Sequence, residues 1–78
     1  MKLTYDAKAN VAYIRLREKR GDVETIQITG DFLVDIDEGG GVVGIELLNA
    51  NQQLKESDDG RFIFVNPLSG EEAELKVA

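Results

Sequence analysis

The chain contains no cysteine and no histidine. Without thiols, neither a disulfide framework nor a thiolate metal centre can support the fold. Without imidazole, the commonest general base and a frequent metal ligand are both missing. Long apolar runs are missing as well. No segment approaches the roughly 18 apolar residues needed to cross a bilayer, and the opening Met1-Lys2-Leu3-Thr4-Tyr5-Asp6 lacks the apolar stretch of a secretory signal. The expectation is a cytoplasmic protein with no membrane partner. Positive charge is scarce too: 9 Lys and Arg stand against 15 Asp and Glu, for a formal net charge of -6. So acidic a chain is a poor match for nucleic acid, whose phosphates are met mainly by Lys and Arg. The one basic cluster, Arg15, Arg17, Lys19 and Arg20, surrounds Glu18 and precedes Asp22 and Glu24. It reads as a solvated strand end of mixed charge.

What is present bounds the answer further. The 78 residues amount to a single domain spanning residues 1–78. A domain of this size buries only roughly 60% of the surface its unfolded chain exposes, so the core must be thin. With 42% hydrophobic and 31% charged residues, and apolar residues at regular spacing, the chain is expected to fold.

The spacing has a period of two almost throughout. Leu3 and Tyr5 share one face of a first strand, and Ala12, Ile14 and Leu16 share one face of a second, Val11 to Arg17. Between them Asp6-Ala7-Lys8-Ala9-Asn10 has turn chemistry at both ends, because Asp and Asn bond locally to turn backbone and tolerate positive φ. Ile26 and Ile28 alternate with Thr25, Gln27 and Thr29 in a third strand, and Gly30-Asp31 turns into a fourth, Phe32 to Asp37. There Phe32, Val34 and Ile36 face inward while Leu33, Asp35 and Asp37 face outward. Val42 to Leu48 comes after three glycines. A tight turn at Gly39-Gly40 sets Ile36 against Val43, Val34 against Ile45 and Phe32 against Leu47, so that every inward residue meets another. Asn49 to Gly60 is polar, with at most a short helix near residues 51–57. A last hairpin runs Arg61 to Val65, turns at Asn66 to Gly70, and returns from Glu72 to Val77. Seven strands and short turns imply a mainly β domain, α+β if the short helix forms. They suggest an antiparallel meander of hairpins forming a small barrel or a two-layer sheet.

Two motifs carry a resemblance. Tyr5-Asp6-x-x-x-Asn10-x-x-Tyr13-Ile14-x-Leu16, followed by Val34-Asp35-x-Asp37-Glu38-x-Gly40-x-Val42-Val43-Gly44-Ile45-Glu46, resembles a family of small prokaryotic proteins catalogued as a domain of unknown function, DUF2283. The likeness covers residues 2 to about 50. It departs from the family at Asn10 and Gly39, where Asp is more usual, and it leaves the last hairpin outside. The resemblance implies a compact single domain with no assigned activity and no agreed site residues.

The second motif also invites a cation reading. Asp35, Asp37, Gly40 and Glu46 fall at positions 1, 3, 6 and 12 of an EF-hand loop, but position 5 is Gly39 and the flanks have the period of strands rather than helices. Asp35, Asp37 and Glu46 are therefore weak metal candidates on an outward face, and no cofactor is expected. Carboxylates on an open face are also poorly placed for acid/base work, which needs a desolvated setting to push one pKa upward. Ser57 and Ser69 lie in turn-like segments with no nucleophile motif. No motif here supports an enzyme, and one built on carboxylates is the third and least favoured reading. By alternation Tyr5 shares the inward face and Tyr13 the outward one, as a core residue and a cross-strand packing residue.

In the strand Arg61 to Val65 both faces are apolar, Phe62 and Phe64 on one and Ile63 and Val65 on the other. A strand apolar on both sides needs a second cover. The expectation is a small non-enzymatic interaction module that works as a homo-oligomer, a dimer, with Phe62, Ile63, Phe64 and Val65 at its interface. The alternative is a small ligand-binding or divalent-cation-binding protein that uses the acidic hairpin at Asp35, Asp37 and Glu46.

Overall fold

A computed structural model describes residues 1–56 and 58–77. Ser57 lies outside the described residues. Seven strands and one short helix are arranged in the order β1 (Lys2–Asp6), β2 (Val11–Arg15), β3 (Val23–Thr29), β4 (Phe32–Asp37), β5 (Val42–Leu48), α1 (Ala50–Lys55), β6 (Arg61–Asn66) and β7 (Glu71–Lys76). The domain is mainly β and antiparallel, as the alternation implies. The first five strands form one sheet in the order β1-β2-β5-β4-β3, and β6 and β7 form a separate two-stranded hairpin.

That order corrects the meander in one respect. β2 does not pair with β3, its neighbour in sequence; it pairs with β5. The chain leaves β2, crosses the ends of β5 and β4 and returns as the far edge, which is the connectivity of a Greek key. The sheet does not close into a barrel: β1 and β3 remain its edges.

Local chemistry explains the turns. In the first hairpin the Asp6 carboxylate accepts from the backbone N–H of Lys8 and Ala9, both at 3.0 Å, and Asn10 ends the turn at φ 61. The last hairpin repeats this device with Asn66, whose side-chain oxygen accepts from Leu68 N (3.1 Å) and Ser69 N (3.4 Å). The β4–β5 turn differs from the expected two-residue turn. Gly40 N donates to Asp37 O (2.9 Å) and Asp37 N to Gly41 O (3.1 Å), which makes a three-residue loop with Gly40 at φ 82. Only a residue without Cβ adopts that conformation freely. Ile36 consequently sits opposite Val42 rather than Val43. A bulge then restores the expected register, with Asp35 opposite Gly44, Val34 opposite Ile45 and Phe32 opposite Leu47.

The pairing divides the five-stranded sheet into two unlike faces. One is apolar across its width: Leu3 lies opposite Ile14, Tyr5 opposite Ala12, Ile14 opposite Ile45, Val34 opposite Ile45, and Ile26 opposite Val34. The other carries Thr4, Tyr13, Arg15, Glu46, Asp35 and Thr25. Helix α1 covers one corner of the apolar face, where the Tyr5 hydroxyl bonds to Asn51 and where Ala12 and Ala50 are fully buried. Elsewhere that face is only partly covered, with Ile14, Val34, Ile45 and Leu47 half-buried. Among the described residues no large side chain is fully buried, and Ile26 and Ile28 are exposed.

Docking of α1 depends on Asn10. Its backbone carbonyl accepts from Ala50 N (3.1 Å), its side-chain oxygen accepts from Asn51 N (2.7 Å), and its Nδ2 donates to Asn49 Oδ1 (3.4 Å). A six-residue helix is too short to persist alone, so these bonds hold it in place. Asn10→Ala, which loses the side-chain bonds and strains the left-handed backbone, should cost about 1–3 kcal/mol in urea unfolding. Asn10→Gly keeps the backbone conformation and should cost clearly less.

Candidate functional site

The polar face of the five-stranded sheet is where the acidic motif meets the rest of the chain. Asp35 on β4 lies opposite Gly44 on β5 and Thr25 on β3. Tyr13 on β2 is diagonal to Gly44, and its ring passes across that glycine so that its hydroxyl donates to Asp35 Oδ2 at 2.9 Å. From the other side Thr25 Oγ1 donates to Asp35 Oδ1 at 2.6 Å. Two side-chain bonds to one carboxylate thereby tie β2, β4 and β3 together across one face, over β5. Gly44 permits this, because a Cβ there would run into the Tyr13 ring and would come within 2.9 Å of the Ile14 carbonyl. Partial burial, then the hydrogen bond and charge of Asp35, raise the Tyr13 pKa above its ordinary value. The phenol is held as a neutral donor. An open hollow of about 300 Å³ beside it is lined by Tyr13, Arg15, Lys19 and Asp35 among others.

Asp37, two residues further along β4, does something else. Alternation places it on the outer face with Asp35 in the open; the structure buries it, at 5% exposure. Arg17 Nη1 donates to its Oδ2 at 2.7 Å, Arg20 N donates to the same oxygen at 2.8 Å, and Gly39 N donates to Oδ1 at 3.1 Å. Glu38 N in turn donates to Arg20 O at 3.2 Å. The carboxylate therefore ties the crossing segment after β2 to the β4–β5 turn. First the Arg17 hydrogen bond and then that of the Arg20 N–H hold its pKa far below the usual carboxylate range, against the opposing effect of burial.

The acidic residues are thus parted in role. Asp35 is engaged by Tyr13 and Thr25, Asp37 by Arg17 and the turn, and Glu46 lies half-buried opposite Tyr13 and Leu33. Among the described residues no group of three or more His, Cys, Asp or Glu is placed to hold a metal ion. Arg17, expected on a solvated strand end, is instead the partner of Asp37. Alternation places Tyr13 on the outward face, where it lies, but does not foresee its bond to Asp35 or that of Thr25. The available signal was Gly44, a lone glycine inside an apolar strand, which marks a close approach.

The four interface candidates lie on β6. Phe62 faces Leu75 and Phe64 faces Ala73, whereas Ile63 faces Glu74 and Val65 faces Glu72. One side of the hairpin carries Phe62, Phe64, Ala73 and Leu75 with Asn66 and Glu71 at its turn end, and the other is half charged. Arg61 and Glu74 form a paired ion bridge on that second side, at 2.6 and 3.0 Å. Every residue of β6 and β7 is exposed.

These contacts can be tested by substitution. Gly44→Ala should destabilise by about 1–3 kcal/mol through overpacking against Tyr13. Adding Tyr13→Ala should cost less than it does in the unaltered protein, a coupling that a double-mutant cycle on urea unfolding would read. Asp37 makes stability depend on acid. Because its folded pKa lies below the unfolded value of about 3.9, its contribution is full above that pH and drains away as pH falls further, through the folded value. Melting temperatures followed downward from pH 5 should fall for the wild type, while Asp37→Asn should start several degrees lower and lose less over the same range.

The family model for Protein of unknown function (DUF2283) matches residues 2–51. No curated protein and no solved structure matches the chain. The matched stretch takes in all five strands of the large sheet, the Tyr13, Asp35 and Asp37 contacts, and the Asn10–Asn51 junction. The chain belongs to the DUF2283 family.

Proposed function

We propose that this domain is a non-enzymatic self-association module whose working form is a homodimer. The observation that carries the proposal is the open apolar face of the five-stranded sheet. A compact monomer of 8.6 kDa is expected to expose about 4,700 Å² by the scaling of surface with mass. This chain exposes 5622 Å². The excess, about 900 Å², is close to the roughly 800 Å² that each partner buries in a standard interface. The radius of gyration agrees: 14.0 Å, against about 11.5 Å for a compact chain of this length.

The second apolar surface is the hairpin, where Phe62 is 41%, Phe64 51% and Leu75 60% exposed. Its Phe62–Phe64 side is better suited to an interface than its Ile63–Val65 side. A residue placed at Ile63 meets Glu74 directly across the strands, whereas one placed at Phe64 meets Ala73. Asp35 and Asp37 are engaged by internal partners, and among the described residues no group of three or more acidic residues is placed to hold a metal ion, which leaves the cation-binding alternative without a supporting observation.

Light scattering at micromolar concentration tests the proposal. The wild type should show twice the mass of one chain. Phe64→Lys should shift the mass toward one chain, by placing an unpaired charge in an apolar contact. Ile63→Lys, which can pair with Glu74, should shift it less. A wild-type mass of one chain across the micromolar range would overturn the reading.

A further inference from the structure

Within the dimer, dimensions and chemistry select the covering surface. Resting on the dimer proposed above, we infer that the apolar side of the β6–β7 hairpin of each copy lies on the open sheet face of the other, beside that copy's α1. The association is thus an exchange of hairpins.

Three observations point the same way. The first is width. Five strands at about 4.8 Å spacing make a sheet about 24 Å across, while one helix of about 10 Å and one two-stranded hairpin of about 10 Å together span about 20 Å. Helix α1 already occupies the Tyr5–Ala12 side. A single hairpin fits the remainder, over β5, β4 and β3.

The second is the obstacle to the simplest rival, two sheets packed face to face. Facing sheets stand about 10 Å apart. A helix already seated on that face is itself about that thick, so a second sheet meets α1 over part of the surface. A hairpin laid beside the helix does not.

The third is amphipathic character. One side carries Phe62, Phe64, Ala73 and Leu75, with Asn66 and Glu71 at its turn end, and the opposite side sets Ile63 and Val65 among Arg61, Glu72, Glu74 and Lys76. A covering layer needs this division, one side for the sheet and one for water. In its own chain every residue of β6 and β7 is exposed, and Val77 N to Gly60 O at 2.7 Å continues the hairpin's own ladder. The structure thus holds an open sheet face and a matching cover that is not on it.

The absence of native cysteine makes the test clean. Val34 lies at the centre of the open face and Ala73 on the apolar side of the hairpin. Val34→Cys and Ala73→Cys proteins, mixed and equilibrated at micromolar concentration, are treated with a short homobifunctional maleimide. The inference expects a covalent dimer holding one chain of each kind, at several times the yield of either variant alone. Ile26→Cys, at an exposed position on the same face, repeats the test should Val34→Cys fail to fold.

Other outcomes separate the failures. A chain carrying both cysteines that links within itself and runs as one chain would show the hairpin folding onto its own sheet, and would overturn the exchange. Val34→Cys linking mainly to itself would mean sheet against sheet, leaving the dimer but removing the hairpin from it. A dimer by light scattering with no mixed product at either sheet position would likewise overturn the exchange alone. A wild-type mass of one chain would remove the dimer and the exchange together.

Discussion

The contact between Asp37 and Arg17 decides the topology. Between β2 and β3 the chain must cross two strand ends, and nothing in the alternation of residues 16–22 directs it there. Asp37 does so with three donors: the Arg17 guanidinium and the backbone N–H groups of Arg20 and Gly39. With the crossing segment fastened to the β4–β5 turn, β2 continues its ladder against β5, where Leu16 N reaches Val43 O at 2.7 Å. β3 is then delivered to the far edge. A buried carboxylate is costly unless its acceptor sites are filled, and here they are filled by the groups whose position it fixes.

The same contact shapes what the sheet exposes. Greek-key order places the β1–β2 hairpin at one side and the β3–β4–β5 run at the other, with apolar residues of all five strands on one surface. The polar surface is tied across by the Tyr13–Asp35–Thr25 bonds and so is complete within one chain. The apolar surface is not, because a six-residue helix cannot cover five strands. The asymmetry explains why association, rather than chemistry, is the reading the structure favours. Asp35 and Asp37 have found partners, whereas Ile26 and Ile28 stay exposed.

How much of this was legible in the sequence depends on the range of each interaction. The strands and the Asp6–Asn10 and Asn66–Gly70 turns were readable, since period-two alternation and Asx turn bonds act within a few residues. The pairing of β2 with β5 was not, because it depends on a contact between residues 20 apart whose members looked like ordinary surface charges. Arg17 sat in a run that reads as solvated, and Asp37 fell on the outward phase of its strand. The β4–β5 register came out right over Phe32 to Asp35 for a reason the pattern did not contain. A three-residue turn displaced it by one, and the bulge at Val42 and Val43 cancelled the displacement. Tyr13 against Asp35 could have been found from Gly44 alone, because a glycine in an apolar strand leaves room that a neighbouring ring can fill.

The family match ends at Asn51, just inside α1, so the sheet, its open face and the anchor of the helix all lie within it, and the β6–β7 hairpin lies wholly beyond it. The open face is thus a property of the family part of the chain, and the hairpin a property of the residues outside that part. A two-stranded hairpin is at best marginally stable by itself in water, because it buries too little to offset the entropy of ordering. The sheet likewise has no fully buried large side chain among the described residues. Each part therefore lacks what the other offers, an apolar surface of matching width. In the exchange proposed above, docking one on the other would stabilise both at once, and folding of the hairpin and association of the copies would then form a single equilibrium, dependent on protein concentration.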